Sequence, residues 1–223
     1  MFKFLLDVLF PPRCLICDKH SRILLCPECE PKLKIADTLF CGSCGARLPR
    51  GRRECHPKFP CLMGAATIYE AESKELIWGL KFRYLKSAAE PLARLLGTYF
   101  SKLNLPAATW TIVPVPLSKE RERERGFNQA ELIANRFARF TGLPLNLNVL
   151  KRTKHTAPQS ELKGHELRFK NVQGCFEAAV NPAPKAVILI DDVITSGATL
   201  SEAAKALKAA GARKIIALAV AKA

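Results

Sequence analysis

The sequence has no run of about 18–20 uninterrupted apolar residues, the length that a membrane-crossing helix needs, so we expect no bilayer-spanning segment. We also find no secretory signal, because residues 2–10 are apolar but short, include Asp7 and end at Pro11-Pro12 without a cleavage site. Their helical spacing predicts a short amphipathic helix, docked on the protein or, as the alternative, lying on a membrane surface. Hydrophobic residues make up 48% and charged residues 25% of the chain, which excludes wholesale disorder and a coiled-coil rod.

Acidic residues are scarce: 20 Asp and Glu stand against 35 Lys and Arg, a net charge of +15. Such an excess favours polyanionic partners, namely nucleic acid, phosphorylated ligands or anionic lipid. The excess is largest in residues 1–61 and 119–170. Within the first segment, basic residues and possible stacking rings lie close together: Arg47, Arg50, Arg52 and Arg53 with Phe40, His56 and Phe59. This mixture is typical of surfaces for single-stranded nucleic acid, although a solvated basic face is the plain alternative.

Cysteine is almost absent after residue 61, where only Cys175 remains, so the other eight are concentrated between Cys14 and Cys61. Three pairs have the C-x-x-C spacing that directs two thiolates at one tetrahedral metal, which predicts two structural zinc ions. Without an oxidising compartment, a disulfide framework is disfavoured. Sequential pairing predicts Cys14, Cys17, Cys26 and Cys29 for one zinc, and Cys41, Cys44, Cys55 and Cys61 for the other. A crossed pairing, or His56 in place of Cys55, is also open.

The chain changes character near residue 62, which divides it into a metal-held module at 1–61 and a second domain at 62–223. The second part alternates strand and helix patterns, which predicts an α/β fold with a mostly parallel sheet and helices on both faces. We predict strands at 62–69, 111–115, 145–150, 176–180, 186–190 and 214–220. We predict helices at 72–82, 91–103, 128–140 and 201–210, and a long polar segment at 151–173.

An apolar strand ends in Asp191 and Asp192, and a loop of small and hydroxyl residues then leads into a helix. Ligands of open α/β sheets bind beyond the carboxyl ends of the strands, and a loop at a helix start offers backbone N–H groups to a phosphate. Two adjacent acids beside a phosphate seat make sense if they accept hydrogen bonds from a ribose diol. The pattern therefore predicts a site for a phosphorylated pentose. It is not a Walker A loop, because that motif and its Lys are missing.

Residues 190–199 resemble the phosphoribosyl pyrophosphate (PRPP) motif of type I phosphoribosyltransferases. The whole chain resembles the ComF/GntX family, in which a double zinc ribbon precedes such a domain. The other motifs that carry this resemblance are Pro114-Val115-Pro116, Arg125-Gly126-Phe127-Asn128-Gln129, Pro158-Gln159 with Leu162, and Arg168 with Asn171 and Phe176.

The resemblance implies that Asp191 and Asp192 bind the ribose hydroxyls, with Mg²⁺ accompanying PRPP. The 5′-phosphate would lie against Thr195, Ser196, Gly197, Ala198 and Thr199. Residues 114–116 would face the pyrophosphate, and residues 151–173 would form a mobile lid. Cations of that segment would assist pyrophosphate departure: Lys151, Arg152, Lys154, Lys163 and Arg168, with Arg152 and Arg168 predicted to contact PRPP. A solvated loop without a ligand is the alternative for this segment.

For function, the resemblance implies a cytoplasmic protein that handles single-stranded DNA in natural transformation or DNA utilisation. A DNA-uptake helicase or another competence protein would be its protein partner. Two alternatives stay open. The first is a nucleotide-salvage enzyme that transfers phosphoribose from PRPP to a nucleobase. The second is a non-catalytic adaptor that binds PRPP or a nucleotide as a signal.

Overall fold

The computed structural model describes residues 12–48, 55–56, 61–105, 109–154, 156, 164–179 and 182–223. The helix predicted at 2–10 lies outside these ranges. Within them, no helix has both the length and the apolar character needed to cross a membrane.

Six strands form the main sheet, and four of them are parallel. They are β1 (Leu39–Cys41), β2 (Arg47–Leu48), β3 (Leu62–Ile68), β4 (Trp110–Pro114), β7 (Ala186–Ile194) and β8 (Lys214–Lys222). Their order is β2-β1-β3-β8-β7-β4, with β3, β8, β7 and β4 parallel and β1 and β2 antiparallel at one edge. Two short strands, β5 (Leu150–Arg152) and β6 (Phe176–Ala178), form a separate antiparallel pair.

The helices are α1 (Ala71–Lys81), α2 (Ala89–Lys102), α3 (Lys119–Arg125), α4 (Gln129–Thr141), α5 (His165–Val172) and α6 (Ala198–Ala209). Short 3₁₀ turns cover Glu30–Lys32 and Lys86–Ala88. Helix α4 begins and ends one residue later than the predicted range of 128–140. The Asn128 side chain accepts a hydrogen bond from the Ala130 amide, and Gly142 ends the helix in the left-handed conformation.

Both faces of the sheet are covered, which confirms the predicted architecture. On one face, Ile188 and Ile190 of β7 pack with apolar residues of α1, α2 and α4. On the other, Val187 and Leu189 pack with residues of α6. A strand buried on both sides needs apolar residues at consecutive positions, and this explains the unbroken run in β7.

The strand predicted at 145–150 is wrong for most of its length, because only Leu150 belongs to β5. Leu145 makes an isolated bridge to Ile112. The Asn146 side chain then accepts a hydrogen bond from the Asn148 amide at 2.9 Å, which folds the chain into a turn. A local side-chain hydrogen bond has replaced the strand pairing.

The polar segment predicted at 151–173 is not one continuous loop. Its first two residues belong to β5, where Arg152 pairs with Phe176 and its guanidinium lies 5.4 Å from the centre of that ring. Its last part forms helix α5, which packs against α6. Lys163 and the Pro158-Gln159 motif lie outside the described residues.

Strand β7 extends four residues past its predicted end, because its pairing with β8 continues from Asp191–Ala219 to Ile194–Lys222. Pairing with β4 stops earlier, at Pro114 and Ile190. One edge of the last residues of β7 is therefore not covered by β4. This geometry opens a space beside the two acidic residues.

The main sheet also crosses the predicted division at residue 62. Strand β1 pairs with β3 through Phe40–Met63 and Cys41–Leu62. Strands from the cysteine-rich segment thus extend the sheet of the second part. The division into 1–61 and 62–223 stays a prediction, and hydrogen bonds join the two sides.

Candidate functional site

A cleft of about 270 Å³ lies at the carboxyl ends of β4 and β7. Strand β7 and the loop after it contribute Asp191, Asp192, Thr195, Gly197 and the first residues of α6. The segment after β4 contributes Val115, Pro116 and Leu117, the chain around α3 and α4 contributes Arg121, Arg125 and Gln129, and α1 contributes Lys81. The fold therefore brings together residues that are widely separated in sequence, at the edge where ligands of parallel sheets bind.

Asp192 is held by a lysine that the sequence analysis did not find. The Lys81 ammonium donates to the Asp192 carboxylate at 2.7 Å, and both side chains are largely buried. Lys81 lies in the last turn of α1, 111 positions away in sequence. No local motif marks it, since only the packing of α1 beside β7 brings the two together. The lysine neutralises one of two adjacent acids and so reduces their repulsion toward an anionic ligand.

Asp191 titrates near neutrality. Burial and, to a smaller extent, the Asp192 carboxylate beside it raise the pKa of its carboxyl group to about 7. Lys81, the Asp192 amide and Arg152 act in the opposite direction. The Asp192 amide donates to Asp191 Oδ1 at 2.8 Å and fixes the carboxyl orientation. Asp191 can therefore accept hydrogen bonds as an anion or donate one as an acid within the physiological pH range.

Helix α6 begins at the floor of the cleft. Gly197 precedes it with φ of 76°, and a Cβ at this position would lie 2.8 Å from the Met63 sulfur. Only glycine fits both the conformation and the space. Gly197, Ala198 and Thr199 line the cleft, as does Thr195, so the N-terminus of a 12-residue helix opens into it. Such a terminus favours an anion.

Ser196 and Arg168 are placed differently from the other predicted ligand contacts. Neither is among the described residues that line the cleft. The Ser196 hydroxyl instead accepts a hydrogen bond from the Ala198 amide at 3.4 Å, within the loop itself. Arg168 lies on α5, which packs against α6 outside the cleft.

Three arginines line the cleft with Lys81: Arg121, Arg125 and Arg152. Two of them hold the chain that follows β5. Arg121 donates to the backbone oxygen of Thr156 at 2.7 Å, and Arg152 donates to the Thr156 hydroxyl at 2.6 Å. The predicted contact of Arg152 with a ligand is compatible with its position. Arg121 and Arg125, in contrast, were assigned no such role from the sequence.

Gln129 lines the cleft, and its buried side chain includes a donor that no described residue satisfies. It is 1% exposed, and its side-chain nitrogen has no hydrogen-bond partner among the described residues. The preceding Asn128 is fully used: it accepts from the Ala130 amide and donates to the Val115 oxygen at 3.0 Å. A buried amide without a partner costs free energy, so this group is suited to an acceptor atom of a ligand.

The first cysteine cluster is the one that the sequence predicts. The sulfur atoms of Cys14, Cys17, Cys26 and Cys29 all lie within 4.8 Å of one another, as a tetrahedral zinc site requires. Burial raises the pKa of the Cys14 thiol, but N–H donors from Cys26, Cys17 and Ile16 outweigh it and bring the pKa to about 6. This favours the thiolate, the form that binds metal.

The second cluster differs from the predicted set in one ligand. Cys41, Cys44, Cys55 and His56 lie within 4.8 Å of one another, and His56 Nδ1 is 3.3 Å from the Cys41 sulfur. Cys61 lies elsewhere, buried among apolar residues, and burial raises its thiol pKa to about 12. It immediately precedes β3, and its side chain joins the core. The second cluster therefore contains both Cys55 and His56, and His56 occupies the position predicted for Cys61.

The described residues include no further group of three or more Cys, His, Asp or Glu side chains spaced to hold a metal. In the part of the chain that the structure describes, no third acid joins Asp191 and Asp192 at metal-binding distance. Mg²⁺ commonly binds through one or two carboxylates, water and substrate phosphates. These residues thus fit a Mg²⁺ that arrives with a phosphate ligand better than one resident in a protein cage.

One predicted stacking ring of the cysteine-rich segment is not accessible. Phe40 is 8% exposed, with the Lys222 ammonium 4.2 Å from its ring centre. It lies in β1 and packs into the core. Three of the four arginines predicted beside it, Arg50, Arg52 and Arg53, lie outside the described residues, as does Phe59.

Comparison with known proteins matches both parts of the chain. Residues 5–58 match the double zinc ribbon domain, and residues 123–223 match the phosphoribosyl transferase domain. Competence protein F of Haemophilus influenzae is 34% identical over 91% of this chain and 93% of its own length. The DNA utilization protein YhgH of Escherichia coli K12 is 31% identical over 86% and 87%. Competence protein ComFC of Bacillus subtilis is 32% identical over 82% and 77%.

Among solved structures, the glutamine PRPP amidotransferase of B. subtilis aligns with a TM-score of 0.39 and 20% identity. The alignment covers 60% of this chain and 26% of that enzyme, about a quarter of its length, and a similarity of this size supports no conclusion about this chain. The curated relatives, in contrast, match along nearly the whole sequence. The chain therefore belongs to the ComF/GntX family, in which a double zinc ribbon is joined to a phosphoribosyltransferase domain.

Proposed function

We propose that the cleft binds PRPP, and that the protein acts in the cytoplasm on single-stranded DNA during DNA uptake or utilisation. The observation that carries the proposal is the meeting of three recognition elements in one cleft. These elements are an acid pair, the N-terminus of α6 and a group of cations. The DNA part is supported by the relatives, which are named for competence and DNA utilization, and by the net charge of +15.

Each part of PRPP has a chemically matched partner. The ribose diol would donate to Asp191 and Asp192. The 5′-phosphate would accept from the amides at the start of α6, where the helix dipole also favours it. The pyrophosphate would lie toward Arg121, Arg125 and Arg152. Mg²⁺ would neutralise phosphate charge, while the buried Gln129 amide would donate to a ligand oxygen.

The second candidate, phosphoribosyl transfer to a nucleobase, is favoured by the cations at the cleft. In this reaction the bond between the anomeric carbon and the pyrophosphate oxygen breaks, and pyrophosphate leaves with the electron pair. A base nitrogen forms the new bond to the anomeric carbon and gives up its proton to the departing pyrophosphate or to water. Arg121, Arg125 and Arg152 would stabilise the negative charge on the leaving group.

Calorimetric titration of the zinc-loaded protein with PRPP and Mg²⁺ tests the ligand. We expect saturable heat, and at least a tenfold loss of affinity in Asp192→Asn, which removes the charge facing the diol. Asp18→Asn is the matched control, because Asp18 is an exposed acid paired with Arg13 in the cysteine-rich segment. Absence of heat, together with an unchanged thermal midpoint, would remove the basis of the PRPP proposal.

Binding of a labelled single strand across a salt series tests the DNA part. We expect log affinity to fall linearly with log salt concentration, since phosphate contacts release counterions. Undetectable binding at low salt would refute the DNA role and leave PRPP binding standing.

An assay of pyrophosphate release distinguishes a phosphoribosyltransferase from a protein that only binds PRPP. Release that depends on Mg²⁺ and one nucleobase, and is lost in Asp192→Asn, would establish transfer. PRPP binding without release for any base would identify the non-catalytic adaptor.

A further inference from the structure

The end of α1 and the turn after it expose an unusual set of side chains. Trp78, Phe82 and Tyr84 are 43%, 52% and 56% exposed. Between positions 78 and 86, every exposed residue is either aromatic or cationic: Trp78, Phe82, Arg83, Tyr84 and Lys86. With Arg125, we call this set the aromatic–basic surface. Contiguous exposed rings of this kind mark an interaction site.

The rings form two groups joined by one short segment. Trp78 and Phe82 lie 5.1 Å apart between ring centres, and Tyr84 meets Phe127 edge-on at 6.5 Å. The Arg125 guanidinium lies 5.9 Å from the Phe82 ring centre, and Phe127 follows two positions later. Phe127 is only 7% exposed and belongs to the core, so it supports Tyr84 from the interior, and residues 125–127 link the two groups of rings.

Cations lie directly beside these rings. The Lys86 ammonium is 5.2 Å from the Phe127 ring centre, and Arg125 is placed over Phe82. Arg83 pairs with Glu75 at 3.4 Å, but both side chains are exposed, and such pairs contribute little. The surface therefore keeps the exposed positive charges of Arg83 and Lys86 in the same short segment as its exposed rings.

The backbone holds Tyr84 in a costly conformation. Its φ is 55°, in the left-handed region that aromatic residues rarely occupy. The Leu85 amide donates to the Gly79 oxygen, and the Lys86 amide donates to the Tyr84 oxygen, both at 3.0 Å. These bonds fix the turn and present the Tyr84 ring outward. Strain of this kind is concentrated at functional sites.

We propose that the aromatic–basic surface is where the protein stacks the bases of single-stranded nucleic acid. This inference rests on the proposed DNA role and gives that role a location. Aromatic rings bind bases of any sequence through their faces, and adjacent cations bind the phosphates. The described exposed aliphatic residues, Ile23, Ile68, Leu147 and Leu167, all lie outside the surface, which favours a nucleic acid over an apolar protein partner.

The surface leads directly to the cleft. Phe82 and Arg125 belong to both, since each also lines the cleft beside Asp191 and Asp192. A strand stacked on Trp78, Phe82 and Tyr84 would therefore pass the mouth of the proposed PRPP site. Binding at the two sites can then be coupled, because Arg125 would contact an anion in either.

Trp78 reports on the proposal through its fluorescence. The chain has two tryptophans, and the other, Trp110, is 5% exposed in β4. Trp110→Phe leaves Trp78 as the single emitter in the zinc-loaded full chain. On titration with an oligothymidylate of about 15 nucleotides, we expect quenching that saturates together with binding measured by anisotropy. An abasic strand of the same length should bind more weakly and leave the emission nearly unchanged.

Alanine substitution tests each ring. Trp78→Ala, Phe82→Ala and Tyr84→Ala should each weaken binding of the oligothymidylate by about five- to hundredfold. Trp78→Phe should retain most of the affinity, because it keeps a stacking face. Phe140→Ala is the matched control: Phe140 is 47% exposed on α4, outside the surface, and its removal should leave affinity unchanged.

The outcomes separate this inference from the DNA role itself. If the wild-type protein binds the strand but the three alanine variants bind equally well, the location is wrong and the DNA role stands. If the wild-type protein does not bind, both fail, while the PRPP titration is unaffected. An emission maximum typical of a buried indole in the free protein would show that another part of the chain covers Trp78, and would also overturn the inference.

Discussion

Two neighbouring carboxyl groups of the cleft have different electrostatic surroundings. Asp192 is bound by the Lys81 ammonium at 2.7 Å and lies within a compensated ion pair. Asp191 has no such contact at hydrogen-bond distance with a cation of the described residues, and burial raises its pKa to about 7. Adjacent acids in one strand can thus divide their roles, one permanently paired and the other able to change its charge.

Asp191 gives a pH dependence of PRPP binding. Its carboxyl group is about one-tenth ionised at pH 6 and about nine-tenths ionised at pH 8 if the pKa is about 7. Because the anion accepts hydrogen bonds from the diol, we expect affinity to rise by roughly fivefold to tenfold over this interval. Calorimetry in matched buffers measures the PRPP affinity at each pH. Asp191→Asn should bind PRPP more weakly. Its affinity should keep only the pH dependence that comes from the phosphates of PRPP. An equal slope in both proteins would contradict the assignment.

The raised pKa of Asp191 also makes the stability of the protein depend on pH. The direction is opposite to that of an acid whose pKa is lowered by a salt bridge. The folded-state pKa lies above the ordinary value of 3.8, so the folded protein holds this proton more tightly than the unfolded chain. This contribution is fully present below about pH 4 and is lost as pH rises toward 7. We expect the free energy of unfolding of the wild type, measured in urea, to decline over this pH range. Asp191→Asn has no carboxyl group to ionise here and should not show the decline. Parallel curves for the two proteins would refute it.

Replacing Gln129 should raise the stability of the protein and weaken its binding of PRPP. In Gln129→Met an amide whose buried nitrogen has no partner in the described part of the chain is replaced by an apolar side chain of similar size, so we expect the free energy of unfolding to rise by about 1 kcal/mol. Affinity for PRPP should fall about tenfold with the lost hydrogen bond. Gln173→Met, at an exposed glutamine, is the control and should change neither quantity. Unchanged PRPP affinity in Gln129→Met would show that the amide does not contact the ligand.

At the scale of the secondary-structure element, strand β7 makes the cleft possible by being longer than β4. Pairing with β8 carries β7 to Ile194, whereas β4 stops at Pro114. The segment after β4 then turns away and supplies Val115, Pro116 and Leu117 to the opposite wall. The unequal lengths of two neighbouring strands therefore create the space that the acids face.

The second cysteine cluster gives a prediction about metal content. His56→Ala should lower bound zinc from about two ions per chain toward one, because it removes one of four ligands. Cys61→Ala should keep two ions and lose stability only through a cavity in the core. Metal analysis after dialysis measures both. Zinc loss in Cys61→Ala with retention in His56→Ala would restore the ligand set predicted from sequence.

At the scale of the whole molecule, the cysteine-rich segment is structurally continuous with the larger fold. The Ala36 amide donates to the Ala66 oxygen at 2.8 Å, and the buried Tyr99 hydroxyl donates to the Thr38 oxygen at 2.6 Å. Strand β1 extends the sheet through β3. The cysteine-rich segment is thus joined to the same sheet whose other edge carries the cleft.

This continuity predicts how the protein unfolds when zinc is removed. Structural zinc contributes directly to the free energy of folding, so a chelator should lower the thermal midpoint of the whole chain in one transition. Circular dichroism and calorimetry should report the same midpoint, as two-state unfolding requires. Two separate transitions, with the upper one at the untreated midpoint, would show that the parts unfold independently.

Local patterns predicted much of the fold because they depend on near neighbours. The cap at Asn128, the left-handed Gly142 and the apolar run of β7 follow from short-range geometry. Prediction failed where a distant partner or a local side chain changed the outcome. The turn at Asn146 ended a strand, and pairing with β8 lengthened β7.

The sequence by itself determined the chemistry available: cysteine pairs at metal spacing, twin acids after an apolar strand and an excess of positive charge. Only the tertiary structure decided which groups meet. It paired Lys81 with Asp192, put His56 rather than Cys61 beside Cys41, and left the buried side-chain nitrogen of Gln129 without a partner among the described residues. The physical reason is that residue type and spacing fix reactivity and local conformation, whereas a contact between distant residues depends on the packing of whole elements.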